Sequence, residues 1–203
     1  MLLKTSSLRR LLQMKDRTSQ DILKEVWDVD GHIFSLIPRE NFKRCRWVDL
    51  PQEPYAVMSY QWRSLWHLTV DRILKHVKEE YMFIDVFCVP QKDPNKMKTV
   101  ARSGEIYRQA NAYHLMEIGS LLRGWVLFEL SSVPATLIPP IIHCTVRDPA
   151  MVDKTKSFLR KTGFKGCEFS EDSDRRTVQK SLRTQFKRMS DFNARIIAIV
   201  ESL

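Results

Sequence analysis

Three short stretches of this chain put polar or ionisable side chains where apolar runs end. Ser59-Tyr60-Gln61-Trp62 closes the run Ala56-Val57-Met58, and Asp85 interrupts Phe83-Ile84-Asp85-Val86-Phe87. Glu129 is the one acidic residue in Arg123-Gly124-Trp125-Val126-Leu127-Phe128-Glu129-Leu130. An ionised carboxylate inside such a run must find hydrogen-bond donors, or its burial costs several kcal/mol. Trp125 and Glu129 stand four residues apart and share a face if the segment is helical. That arrangement sets a carboxyl beside an indole, partly removed from water, where its pKa rises and its field is weakly screened.

Each of these residues also has a plainer reading. Ser59 and Tyr60 suit a turn whose hydroxyls satisfy nearby backbone groups. Asp85 suits an anchor tying its strand to a loop through backbone amides or Arg63. Glu129 suits a surface ion pair with Arg123. Cys88 reads as a buried apolar thiol and His143 as a packed core histidine. No glycine-rich phosphate loop and no metal-ligand spacing occur anywhere in the chain.

The elements that must position these side chains are given by periodicity. Tyr55–Ser59 reads as a first strand and residues 64–79, with Leu65, Leu68, Val70, Ile73, Leu74 and Val77, as an amphipathic helix. A second strand over Tyr81–Val86 is almost continuously apolar, as expected where helices cover both faces. A helix over Lys96–Ala110, a strand over Ala112–Ile118, a helix over Leu121–Ser131 and a strand over Ile141–Val146 continue the alternation. Beyond them come a helix over Ala150–Lys161, a weak fifth strand over Gly163–Phe169, and helices over 174–188 and 190–201. Residues 1–26 read as helical, His32–Leu36 as a short strand, and residues 38–54, with three prolines, as an irregular lead-in. Strands alternating with helices imply a doubly wound parallel sheet. The division expected is an extension over 1–49 and an α/β domain over 50–203. In such sheets ligands sit beyond the carboxyl ends of the strands, which is where Ser59, Tyr60, Trp62 and Asp85 fall.

Composition narrows the class. The chain has 203 residues, 43% of them hydrophobic, enough for one well-buried domain. Cys45, Cys88, Cys144 and Cys167 are scattered without a C-x-x-C pair, which points away from a disulfide framework and toward a reducing, intracellular setting. No apolar run reaches the roughly 20 residues of a transmembrane helix. Net charge is +9 and concentrates in the flanks: residues 147–203 hold 13 basic and 8 acidic groups, residues 50–146 only 10 and 9. The C-terminal charges alternate in sign without interleaved aromatics, the pattern of a solvated helix face rather than of a nucleic-acid surface.

Taken in order, Ala56 to Trp62, Phe83 to Gln91 with Asp93, Ile106-Tyr107-Arg108-Gln109-Ala110, and Arg123-Gly124-Trp125 to Glu129 resemble the motifs of the heterokaryon-incompatibility (HET) domain. That domain is itself similar to the Toll/interleukin receptor (TIR) fold. Arg63 stands where the HET signature has glycine after its tryptophan. The resemblance covers about residues 30–146 and implies a five-stranded, flavodoxin-like parallel sheet with helices on both faces. It also implies a cytoplasmic role in immune or cell-death signalling. Some TIR domains hydrolyse NAD with one glutamate on the helix after the third strand, the place of Glu129. On that likeness Tyr60, Trp62 and Trp125 would stack on nicotinamide or adenine, and Ser59 and Asp85 would position ribose or the loop, with NAD as substrate and no resident cofactor or metal. The alternative is a non-catalytic module acting by self-association or by binding other TIR/HET-like domains.

Overall fold

The structure is a computed structural model that describes residues 1–26, 34, 36–43, 53–89, 96–137, 141–142, 149–169 and 172–202. Six strands form one mixed sheet: β1 (Leu2–Lys4), β2 (Phe42–Lys43), β3 (Tyr55–Ser59), β4 (Tyr81–Phe83), β5 (Ala112–Leu115) and β6 (Ile141–Ile142), in the order β2-β1-β4-β3-β5-β6. The last four in sequence are mutually parallel, and their spatial order is second, first, third, fourth. This strand order is consistent with a flavodoxin-like layout, with the switch of direction between β3 and β5.

The expectation of five parallel strands is corrected at both ends. At the amino end, the run taken as wholly helical begins with β1, which lies antiparallel between β2 and β4. Only afterwards does the chain coil, as a 3-10 helix over Thr5–Gln13 and then α1 (Ser19–Val26). Leu2 and Leu3 are buried as strand residues, a pairing that helical spacing of leucines conceals. Residues of the presumed extension therefore belong to the sheet. At the other end, the fifth strand expected at Gly163–Phe169 is a 3-10 turn over Gly163–Gly166 followed by a single parallel bridge from Glu168 to Arg123. Glycine at 163 has φ +54, a conformation that turns the chain rather than extending it. Of the strand expected at His32–Leu36, Phe34 and Leu36 are helical, and the rest lies outside the described residues, as do Gln91, Asp93 and His143.

All five residues of β3 are buried, which requires cover on both faces. Alternation along the strand sends Tyr55, Val57 and Ser59 to one side. Their parallel partners Phe83, Tyr113 and Leu115 point the same way. That side meets α3 (Lys96–Gln109) and α4 (Gly124–Ser132): the Tyr55 hydroxyl donates to the Ile106 carbonyl at 2.7 Å, and Tyr107 lies edge-on to both Phe83 and Tyr113. The other side meets α2 (Trp66–His76), which comes after β3 in the chain. Its buried residues Trp66, Thr69, Val70 and Ile73 repeat at helical spacing, and Lys75 and His76 sit at its negative C-terminus. His114, facing that side, lies near His76 and Glu79, and burial holds its pKa down. Helix α5 (Pro149–Thr162) packs on α7 (Met189–Glu201) and on the 3-10 turn over Ile118–Leu122, while α6 (Asp172–Gln185) and α7 pack on α4 and on each other. Among the described residues no helix is long and apolar enough to cross a membrane.

One position in this arrangement tests how α4 is seated. A methyl group on Gly124 would lie 1.8 Å from the ring of Phe169. That ring is fixed edge-on to Phe164 and beneath the Arg175 guanidinium, which also donates to the Lys165 and Cys167 carbonyls. Gly124→Ala should therefore destabilise the fold by about 2 kcal/mol despite alanine's better helix propensity. Equal urea midpoints for the variant and the parent would show that Phe169 yields freely.

Candidate active site at the carboxyl ends of the parallel strands

The site is built from residues at, or just beyond, the carboxyl ends of the strands. Ser59 is the last residue of β3, Asp85 lies two residues past the end of β4, and Glu129 lies on the helix after β5. Asp85 follows the extended Ile84, and its carboxyl meets the Tyr60 hydroxyl and the Trp62 indole of the loop after β3. A single helical turn, Asp85–Cys88, begins at once and gives the carboxylate a backbone donor, Val86 N–H to Oδ1 at 2.7 Å.

Helix α4 is buried at Gly124, Val126, Leu127, Phe128, Leu130, Ser131 and Ser132. Only Trp125 and Glu129 on it keep partial exposure. Their four-residue spacing thus marks the one side of this helix that keeps partial access to solvent. On that side Ser59 Oγ donates to Glu129 Oε2 at 2.5 Å, across 70 residues of sequence. The surface-ion-pair reading of Glu129 is replaced by this contact, while the Arg123 guanidinium contributes as a nearby positive charge.

The electrostatics of Glu129 are set by its surroundings. Protein packed around the carboxyl removes water, and the charge of Asp85 adds to the effect. The hydrogen bond from Ser59, the nearby Tyr107 hydroxyl and the charge of Arg123 oppose it, leaving the pKa raised to about 8. Asp85 is also raised, mainly by burial, against the donors Tyr60, Trp62 and Val86 and the charge of Arg123. Two carboxyls thus share one poorly hydrated region and resist double ionisation.

Asp85 is an anchor, though not through Arg63, which is exposed. The Tyr60 hydroxyl donates to Oδ1 and the Trp62 indole N–H to Oδ2, both at 2.9 Å. These bonds shape the loop after β3. The ring of Tyr60 is buried, tilted against Trp66 with centroids 5.7 Å apart, and its contribution to the site is its hydroxyl rather than a stacking face. Trp62 is half-buried, with its N–H committed to Asp85. Trp125 lies edge-on to Phe128, and among the described residues no ring contact joins it to Tyr60 or Trp62. The structure therefore brings Ser59 to Glu129 and Tyr60 and Trp62 to Asp85, and leaves Trp125 beside Glu129 on the helix without a contact to the aromatic pair.

The loop after β5 closes the same rim. Ser64 and Glu117 are hydrogen-bonded, and a side chain on Gly119 would lie 3.2 Å from the Gln61 amide. From the N-terminal segment, Trp66 N–H donates to the Arg17 carbonyl and Gln20 N–H to the Trp62 carbonyl. Two members of the site escaped the reading of the sequence. Tyr107 and Tyr113 are fully buried, and both sense the charge of Glu129 and the hydroxyl of Ser59. Their signal was the position of Tyr113 on a strand beside Ser59's own, which becomes visible only once the register is known. Among the described residues no group of three or more His, Cys, Asp or Glu side chains is arranged to hold a metal ion. No family model, curated protein or solved structure matches the chain.

Proposed function

We propose that this chain is a TIR/HET-like signalling domain that hydrolyses NAD to nicotinamide and an ADP-ribose product, with Glu129 as the catalytic residue. The observation that carries the reading is the contact of Ser59 with Glu129 at 2.5 Å, at the carboxyl ends of the parallel strands and next to the switch of strand order. The order of the four sequence motifs and the place of Glu129 after the third parallel strand support it.

The chemistry suits a single carboxylate. The bond between ribose C1′ and the pyridinium nitrogen breaks with its electron pair left on nitrogen, so nicotinamide departs neutral and no general acid is needed. Positive charge develops at C1′ and is stabilised by the Glu129 carboxylate, as in glycoside hydrolysis. A water oxygen then bonds to C1′ and its proton passes to Glu129 and on to solvent. The sum is NAD and water giving nicotinamide, ADP-ribose and one proton. A carboxyl titrating at about 8 is largely protonated at neutral pH in the free protein. A cationic nicotinamide ring bound beside it favours the ionised form, so substrate itself would bring the catalyst into its working state.

Incubation of the purified chain with NAD, followed by chromatography for nicotinamide, tests the reading. Release should fall at least about 100-fold in Glu129→Ala, the scale expected for loss of one acid–base group. Equal turnover in that variant rules out Glu129. A second reading, a non-catalytic assembly module, draws on the extent to which Glu129 and Asp85 are already satisfied by internal donors. It is favoured by absence of nicotinamide release together with concentration-dependent association that Glu129→Ala leaves unchanged.

A further inference from the structure

Ser59 gives its hydrogen to Glu129, and a second buried hydroxyl, that of Tyr113, rises from the neighbouring strand on the same face. Tyr113 stands on β5 in register with Val57, two residues before the pair Ser59–Leu115 and on the same face of the sheet. It is 2% exposed, and its hydroxyl has no hydrogen-bond partner among the described residues. Ser59 and Glu129 are nonetheless the groups whose influence that hydroxyl feels. Tyr107, the other hydroxyl of the cluster, spends its hydrogen on the Met58 carbonyl at 3.1 Å. A buried hydroxyl with no acceptor is costly, and its persistence next to a charge-changing group calls for a role.

We propose that Tyr113 is a positioning residue that donates to Ser59 when Glu129 ionises, completing a chain from Tyr113 through Ser59 to the Glu129 carboxylate. The idea deepens the functional reading above, since it concerns the same carboxyl, but it stands or falls without substrate. Each donor in such a chain strengthens the next. The groups that bear on Glu129 are Asp85 beyond β4, Arg123 at the start of its own helix, Tyr107 from α3, Tyr60 from the loop after β3, and Ser59 and Tyr113 from the strands. Of these, Tyr113 alone combines a neutral donor with a hydrogen that no described residue accepts.

The test is a titration of Glu129 in the full chain, monitored by carbon NMR of labelled glutamate and assigned with Glu129→Gln. Tyr113→Phe removes only the unpartnered hydroxyl, so the fold should survive, as near-ultraviolet circular dichroism would report. Its Glu129 midpoint should move up by about one pH unit, the direction expected on losing a donor to the ionised form. In a Ser59→Ala background the same change should have little further effect, because the tyrosine acts through the serine. An unmoved midpoint in Tyr113→Phe overturns the proposal, and so does a shift that persists in full without Ser59. A shift found in a chain that releases no nicotinamide keeps this chain of donors and removes the enzymatic reading. Release that depends on Glu129, with no shift, does the reverse.

Discussion

Glu129→Gln should abolish NAD turnover and at the same time make the protein more stable at alkaline pH. Both effects come from the same burial. The folded pKa of Glu129, about 8, lies above the ordinary value of 4.5, so the native state holds the proton more tightly than the unfolded chain does. The stability this proton confers is complete below about pH 4.5 and is lost as pH rises toward 8. Over that window one such group changes stability by up to roughly 1.4 kcal/mol per pH unit. Glutamine keeps the neutral shape and cannot ionise. Urea unfolding at pH 5 should therefore separate variant and parent little, whereas at pH 8.5 the variant should be more stable by a few kcal/mol. Parallel stability profiles would mean that Glu129 is hydrated enough to ionise normally. In the parent, kcat/KM for NAD should climb with pH and level off above about 8, because the free protein must lose that proton before the carboxylate can act.

The second large effect concerns Asp85, and two substitutions should part company there. Asp85→Ala strips the acceptor from the buried Tyr60 hydroxyl, the Trp62 indole N–H and the Val86 amide. Leaving such donors unpaired should cost on the order of 3 kcal/mol and loosen the loop that carries Trp62. Asp85→Asn keeps one acceptor oxygen for Tyr60 and Val86, sets its amide NH2 against the Trp62 N–H, and should lose less. It removes the negative charge that is, after burial, the largest influence raising Glu129. The Glu129 midpoint should consequently fall from about 8 toward the usual carboxylate range. Thermal unfolding separates the first effect, and carbon NMR titration the second. If Asn and Ala destabilise equally, the hydrogen bonds are not what Asp85 supplies; if the midpoint is unchanged in Asn, desolvation alone holds Glu129 up.

Much of the site could be read from residue order because its parts are strand ends. The apolar run that ends at Ser59 and the one that Asp85 interrupts mark both residues as polar groups at strand ends. Likewise the apolar surroundings of Trp125 and Glu129 single them out as the exposed edge of an otherwise buried helix. What misled the reading was partner identity. Arg63 was the natural counter-charge for Asp85, yet the neighbouring indole and phenol reach it, since the chain turns immediately after Ser59. The leucines at 2, 3, 8, 11 and 12 look helical throughout, although Leu2 and Leu3 are held by pairing with Phe42, Lys43 and Met82 far along the chain.

Local order in the sequence determined the alternation of strands and helices from Tyr55 to Ser132, the apolar faces they bury, and which polar residues stand at strand ends. These are products of periodicity and turn chemistry, which act over a few residues. Tertiary structure alone decided that Ser59 meets Glu129 across 70 positions, that Tyr113 lies on the neighbouring strand two register positions away, and that an amino-terminal strand enters the sheet antiparallel. The reason is that strand order and register are set by the burial of whole faces against distant partners, a free energy to which no short segment holds the key.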